Sequence, residues 1–321
     1  MTPASSTTLS IVIPCYSSGE GLPKLIERLA EVLPDLAETY EVILVDDASP
    51  DDTWQTVEAL ALQRPWVRGI QLMRNYGQHS ALLCGIRAAE HEIVVTMDDD
   101  LQHPPDQIPL LLEKLAEGYD VVYGAPEQEQ HGLWRDVASQ ITKIMLQNSM
   151  GVETARNVSA FRAFRTKVRN AFVQYQNPYV SIDVLLTWGT TRFATRSVQH
   201  DQRQYGVSHY TMRKLIRHAM NMITGFSTMP LRVASIVGFV MTLFGLGVLV
   251  YVIGRALFFG IVVPGFAFLA SVIAIFSGAQ LFALGVIGEY LARMYFRSMD
   301  RPAYTVRTTS AESNAHDKPR Q

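Results

Sequence analysis

Cysteine is close to absent from this chain. Two of its 321 residues are cysteines, Cys15 and Cys84. That excludes a disulfide-stapled scaffold and fits a reducing compartment. No Cys-x-x-Cys pair occurs, and the eight histidines form no Cys/His metal cluster. A surplus of basic charge is missing too: 28 Lys plus Arg stand against 30 Asp plus Glu, for a net charge of -2. A nucleic-acid binder would show a basic excess, so no nucleic-acid partner is expected. No Gly-x-Gly-x-x-Gly follows the first apolar run, and no Gly-x-x-x-x-Gly-Lys-Ser/Thr occurs anywhere. Dinucleotide redox chemistry and P-loop hydrolysis are therefore disfavoured. The first ten residues lack Lys and Arg, and Leu9–Ile13 is too short for the apolar region of a signal peptide, so that run reads as a strand. Internal repeats and low-complexity tracts are also missing.

What the chain does have is apolar length near its end. Formal charge is absent from Val233 to Gly254, 22 residues, and again from Ala256 to Gly288, 33 residues, with Arg255 between. A bilayer-spanning helix needs about 20 such residues. Two transmembrane helices are expected, at roughly 233–257 and 265–288, joined by a turn at Gly260, Pro264 and Gly265. Arg203, Arg213, Lys214, Arg217 and Arg232 precede them; Arg293, Arg297, Arg301 and Arg307 follow. By the positive-inside rule both ends face the cytoplasm, which predicts an integral protein of the cytoplasmic (inner) membrane with its N-terminal part cytoplasmic. In 205–230, Met212, Leu215, Ile216, Ala219 and Met222 share one helical face while Arg213, Lys214 and Arg217 lie on others, the pattern of an interfacial helix against membrane lipids. The polar end, 302–321, is expected to fray.

The N-terminal part alternates strand and helix. Strands are expected at Leu9–Pro14, Glu41–Asp46, Val67–Leu72, Ile93–Asp98 and Asp120–Tyr123, with amphipathic stretches at Gly21–Leu36, Thr53–Gln63, Ser80–Ala89 and Pro105–Glu117. Leu22, Leu25, Ile26, Leu29 and Leu33 follow a helical period. The fold class is α/β, a mostly parallel sheet with helices on both faces, and ligands of such sheets bind at the carboxyl ends of the strands. Three of those ends are polar: Pro14-Cys15-Tyr16, Asp46-Asp47-Ala48-Ser49 and Asp98-Asp99-Asp100-Leu101-Gln102. Three consecutive carboxylates repel one another unless solvated or bound to a cation. Where an apolar strand emerges they suit Mg²⁺ or Mn²⁺, which take oxygen ligands and bridge to phosphates. A nucleotide held this way in front of a membrane hairpin suggests transfer from an activated donor to a lipid.

With these features in place, the chain resembles the family 2 glycosyltransferases of GT-A (Rossmann-like) fold, and among them the polyprenyl-phosphate glycosyltransferases. The resemblance runs from Leu9 to Tyr304. It rests on Ser10–Pro14, Glu41–Asp47, Arg74–Ala81, Asp98–Pro105, Phe161–Arg165 and Arg203–Ser208, in that order and followed by the two apolar helices. It implies a GT-A domain at 1–204, interfacial helices at 205–231, two transmembrane helices at 232–292 and a cytoplasmic tail at 293–321. The donor would be a nucleotide sugar and the acceptor a polyprenyl phosphate, with a homotetramer as the assembly. Pro14, Tyr16 and Glu20 would line the nucleotide pocket, with Asp46 near the base or ribose. Asp98 and Asp99 would contact the donor, Asp100 would hold the metal together with Asp98, and Gln102 would complete its shell. Arg203 and Ser208 would close over the diphosphate, and Arg135 would meet the acceptor phosphate. The Asn75–Ser80 stretch is closest to the formamido-arabinose transferases, which points to UDP and a modified sugar.

Two positions depart from the family pattern. Arg156 stands where members carry an aspartate proposed as base, and His209 stands where a lysine follows the serine of the closing loop. An acceptor phosphomonoester has a second pKa of about 6 and is largely deprotonated near neutrality. It needs positioning and charge screening more than a base, and Arg156 would favour its binding. Asp183 is the alternative base. Two rival readings remain: a processive polysaccharide synthase, for which further membrane helices and a Gln-x-x-Arg-Trp-like motif are missing, and a non-catalytic membrane scaffold, against which the intact Asp98-Asp99-Asp100 argues.

Overall fold

A computed structural model describes residues 7–126, 157–177, 180–201, 229–259, 265–299 and 301–316. The chain divides into two compact units, Met1–Leu215 with Arg301–Gln321, and Ile216–Asp300.

In the first unit, β1 (Thr8–Cys15), β2 (Thr39–Asp46), β3 (Val67–Leu72) and β4 (Ile93–Thr96) are short apolar runs that bury most of their residues. Strands covered on both faces have this composition. The connecting helices are α1 (Leu22–Leu36), α2 (Thr53–Gln63), α3 (Gln78–Ala88) and α4 (Ile108–Ala116). The apolar stripe of α1 is fully buried, as its spacing predicts. Then come β5 (Val121–Pro126), β6 (Arg162–Arg165), α5 (Ile182–Gly189) and β7 (Phe193–Val198). After the second unit the chain adds β8 (Val306–Thr309) and a short helix, Ser310–His316. The eight strands form one sheet in the order β7-β5-β6-β4-β1-β2-β3-β8. β4, β1, β2 and β3 are parallel neighbours, and β5 runs parallel to β7. β6 is antiparallel to β4 and β5, and β8 is antiparallel to β3. The sheet is thus mixed but mostly parallel, and the expected α/β class holds.

Gly85 lets α3 lie on the sheet. A Cβ there would stand 2.4 Å from Val12 Cγ1 and 3.1 Å from Val45 Cγ2, so the helix rests directly on β1 and β2.

The tail corrects one expectation. Residues 302–321 were expected to fray, yet 306–316 are a strand and a helix built onto the sheet. The edge of β3 offers unpaired backbone groups, which a short extended segment satisfies. Gly69 N donates to Ser310 Oγ at 3.0 Å, and Ser313 hydrogen-bonds Glu58 on α2. Val306-Arg-Thr-Thr is too short and polar to announce itself as a strand in sequence.

The second unit holds α6 (Met229–Phe259, 31 residues) and α7 (Phe266–Ser298, 33 residues). Both are long and apolar enough to cross a membrane, with apolar windows at Pro230–Arg255 and Ile275–Ala292 that the protein itself does not bury. The two pack where the ring of Phe244 stacks on that of Phe276, their centroids 6.4 Å apart. A Cβ on Gly245 would lie 2.6 Å from Phe276 Cζ, so a side chain there would displace the Phe276 ring. The 205–228 part of the expected interfacial segment lies outside the described residues.

Gly85→Val is expected to destabilise the sheet unit by about 1–3 kcal/mol through overpacking. The thermal midpoint of the detergent-solubilised protein measures this, and an unchanged midpoint would refute the close α3–sheet contact.

Candidate active site

The carboxyl ends of β1, β2 and β4, with the loop from β3 into α3, surround a cleft of about 250 Å³. Its lining includes Pro14, Tyr16, Asp47, Asn75, Gly77 and Gln78, together with Asp98, Asp99 and Asp100. The backbone turns sharply at three of these ends. Ser17, Ala48 and Leu101 adopt positive φ of 54°, 54° and 60°. Each such residue costs on the order of 1–3 kcal/mol, a strain that clusters at functional sites. The turns are stitched together: Ser17 N donates to Ser49 Oγ at 3.0 Å, and Ser18 N and Gly19 N donate to Thr53 Oγ1 at 3.0 and 3.1 Å.

Each acidic side chain of the cleft is held by a donor. Asp47 accepts from Tyr76 N and Gly77 N, both at 2.7 Å. Gly77 sits at φ +93° and ψ 155°, a region open almost only to glycine, and α3 starts immediately after it. Burial pushes the Asp47 carboxyl up to about 6, against the pull of the two amides. Asp98 accepts from Gln78 Nε2 at 2.6 Å. Asp99 accepts from Tyr16 N at 3.4 Å, and burial raises its carboxyl above the usual range. Asp100, itself buried, accepts from Gln102 N at 3.1 Å. Burial likewise drives the Cys15 thiol well up, making it an inert wall of the cleft.

Among the described residues, no Lys or Arg is part of this lining. An acidic cleft of this kind binds a diphosphate only when a cation lies between the like charges. Among the described residues no three His, Cys, Asp or Glu side chains converge as a metal cage. Asp98 and Asp100 fit a cation of the Mg²⁺ type, which uses one or two carboxylates and takes its remaining ligands from water and substrate phosphates.

A model of glycosyl transferase family 2 matches residues 10–173, half the chain, and those residues contain this whole cleft. The chain belongs to that family. It is 36% identical over 304 residues to an undecaprenyl-phosphate 4-deoxy-4-formamido-L-arabinose transferase of Pectobacterium carotovorum subsp. carotovorum (strain PC1), covering 94% of this chain and 93% of that protein. It is 33% identical to the transferase of the same name from Photorhabdus laumondii subsp. laumondii, over 312 residues and 96% of both chains. In fold it is similar to glucosyl-3-phosphoglycerate synthase of Mycobacterium tuberculosis, solved with Mn²⁺, UDP and glucosyl-3-phosphoglycerate. That likeness has a TM-score of 0.50 and 16% identity, and covers 68% of this chain and 78% of that one.

Within this glycosyltransferase, Pro14, Tyr16, Asp98, Asp99 and Asp100 come together at the cleft. Other expected site residues stand elsewhere. Glu20 is exposed and outside the lining. Asp46 is fully buried, its oxygens taken by Ser49 N and Gln71 Nε2, both at 3.1 Å, so it shapes the turn beneath the cleft. Gln102 lies beside the lining, where its carbonyl accepts from Asp201 N at 2.8 Å. Asp183 is buried on α5, bonded to Arg162 of β6 and to the Tyr123 hydroxyl at 3.1 Å. Arg135, Arg156, Arg203 and Ser208 lie outside the described residues. Asp47, Asn75, Gly77 and Gln78 join the site although no role was expected of them. The glycine within Arg74–Ala81, directly ahead of a helix, was the signal that could have pointed there.

Two outcomes test this geometry. As pH falls through about 6, Asp47 gains a proton and loses one of its two amide bonds. The folded state also holds that proton more tightly than the unfolded chain, so stability falls as pH rises from about 4 to about 6. UDP with Mn²⁺ is therefore expected to bind wild type more tightly than Asp47→Asn near neutrality, with the two affinities converging below about pH 6. Calorimetry across that range checks it, and a constant ratio would refute it. Separately, Asp183→Asn is expected to cost about 3–5 kcal/mol by leaving Arg162 buried without its partner, read as a lowered thermal midpoint. A variant that kept its stability and UDP binding but lost turnover would instead make Asp183 the base.

Proposed function

We propose that this enzyme transfers a single sugar from a nucleotide-sugar donor, a UDP-sugar, to a polyprenyl phosphate of undecaprenyl type at the cytoplasmic face of the inner membrane. The product is a polyprenyl-monophosphate sugar for modification of cell-envelope glycan or lipid. The observation that carries the reading is the acidic cleft at the carboxyl ends of parallel strands, in a chain that also holds two unburied helices of bilayer length. The formamido-arabinose transferases at 33–36% identity over nearly the whole chain support the lipid acceptor.

The loops from β1, β2 and β3 hold the nucleotide, with Tyr16 and Asn75 on the cleft wall and Asp47 fixing the corner at Gly77. Asp98 and Asp100 would hold Mg²⁺ or Mn²⁺; Mn²⁺ accompanies UDP in the fold relative. That ion supplies charge neutralisation of the diphosphate leaving group. An oxygen of the acceptor phosphate attacks the anomeric carbon from the face opposite the diphosphate. The new C–O bond forms as the bond to the β-phosphate breaks, UDP departs with the electron pair, and the anomeric configuration inverts. By the family resemblance, Arg203 and Ser208 would close over the diphosphate, and Arg135 and Arg156 would meet the acceptor phosphate; all four lie outside the described residues. α6 and α7 insert in the bilayer and keep the enzyme where its acceptor is stored. A homotetramer follows from the family resemblance.

Purified enzyme offered a panel of nucleotide sugars with undecaprenyl phosphate and Mn²⁺ is expected to form a lipid-linked sugar from a UDP donor. No product across the panel would overturn the proposal. Asp100→Ala is expected to reduce that activity about 10²-fold or more, and retained activity would refute the metal role.

A further inference from the structure

The chain returns from the apolar helices to the donor cleft, and it lands on one corner of it. Strand β8 pairs with β3 through Ile70↔Thr309, Gln71↔Thr308 and Leu72↔Val306, so the register shifts and Arg307 is the extra, bulged residue. A bulge re-aims a side chain. Here the guanidinium of Arg307 donates to the Met73 carbonyl at 3.2 Å, while Met73 N donates to the Thr305 carbonyl at 2.9 Å. The tail thus takes both backbone groups of Met73. That residue opens the segment whose Asn75 and Gly77 line the cleft and whose Tyr76 and Gly77 amides bind Asp47. The other side of the same corner is braced as well. The ring of Tyr304 stacks against Arg87 of α3, 5.5 Å from ring centroid to guanidinium. Gln78, the first residue of that helix, holds Asp98.

We infer that the segment after the second apolar helix is a strap for the donor cleft, and that Arg307 is a positioning residue acting through the Met73 carbonyl to hold the 73–77 corner in its nucleotide-binding shape. The link to binding rests on the nucleotide-donor reading above. The position of Arg307 explains why a short polar strand with a bulge is worth building on this edge. It caps the edge of the sheet and also fixes the loop that leaves it.

The test uses full-length protein in detergent, with UDP plus Mn²⁺ as probe. Arg307→Ala is expected to speed hydrogen–deuterium exchange of peptides covering 73–78, and to weaken UDP binding, by about two- to tenfold each. The thermal midpoint should stay within a degree or so, as for a surface substitution, and Arg307→Lys, which keeps a donor, should restore most of both effects. Unchanged exchange would overturn the strap. Faster exchange with unchanged UDP affinity would overturn the positioning role, and so would a lowered midpoint that Arg307→Lys does not repair. If wild type binds no UDP, the donor reading fails on its own, and the exchange measurement still decides whether the tail holds the corner.

Discussion

Four carboxylates gathered where buried strands run out impose the constraint that organises this site. Left alone, Asp47, Asp98, Asp99 and Asp100 would push the loops apart. Three of them instead reach across to a different loop: Asp47 from the β2 end to the amides after β3, Asp98 to the first side chain of α3, Asp99 to the amide after β1. Charge-assisted bonds of this kind are stronger than neutral ones. The repulsion that threatens the cleft is therefore also what knits its rim together. The left-handed residues Ser17, Ala48 and Leu101 aim these groups at the cost of local strain. The residual negative charge leaves the cleft in need of a cation whenever a phosphate enters.

The apolar content of the chain serves two solvents. In the sheet unit it is buried between strands and helices. In α6 and α7 the large side chains stand outward, with Phe239 at 64% and Leu257 at 77% exposure. Contiguous exposed apolar surface on this scale needs a partner, and for helices of 31 and 33 residues the bilayer supplies one. The tail then carries the chain from that second unit back to the edge of β3, so the last residues of the sequence complete the sheet that the first residues begin.

The parts of this architecture that repeat with a period were legible in sequence. The stripe Leu22–Leu33, the buried runs of β1 to β4 and the two uncharged stretches declare themselves because burial on one stripe, burial on both faces and immersion in lipid each leave a distinct pattern. Elements whose existence depends on a distant neighbour did not show. Strand β6 is four residues inserted between β4 and β5, and β8 is four residues offered to an edge more than 230 positions away in sequence. The acidic ends were visible as chemistry, but not which acid turned inward. Asp46 closes the register of β2 against Cys15 and is buried beneath the turn, whereas Asp47, one residue on and also buried, has left the strand and lines the cleft. A shift of one residue reverses the side of a strand, and nothing in the Asp46-Asp47 pair reveals where the strand stops.

The fate of Asp183 bears on how such an enzyme would work. A carboxylate bound to a buried guanidinium and a tyrosine hydroxyl is committed to holding α5 against β5 and β6, and a proton taken there would weaken the pair. The cleft carboxylates are likewise tied to their amides. A phosphomonoester nucleophile removes the need for a base, because its second proton is already mostly lost near neutrality. What remains difficult is bringing two anions, a diphosphate and a phosphate, together beside four acids. On the proposed reading that burden would fall on cations: the metal that Asp98 and Asp100 would hold, and the expected site arginines Arg156 and Arg203, which lie outside the described residues. At the position where the family resemblance implies a proposed base, Arg156 would then be no defect, because it would trade a proton acceptor the reaction can spare for positive charge that the acceptor phosphate requires.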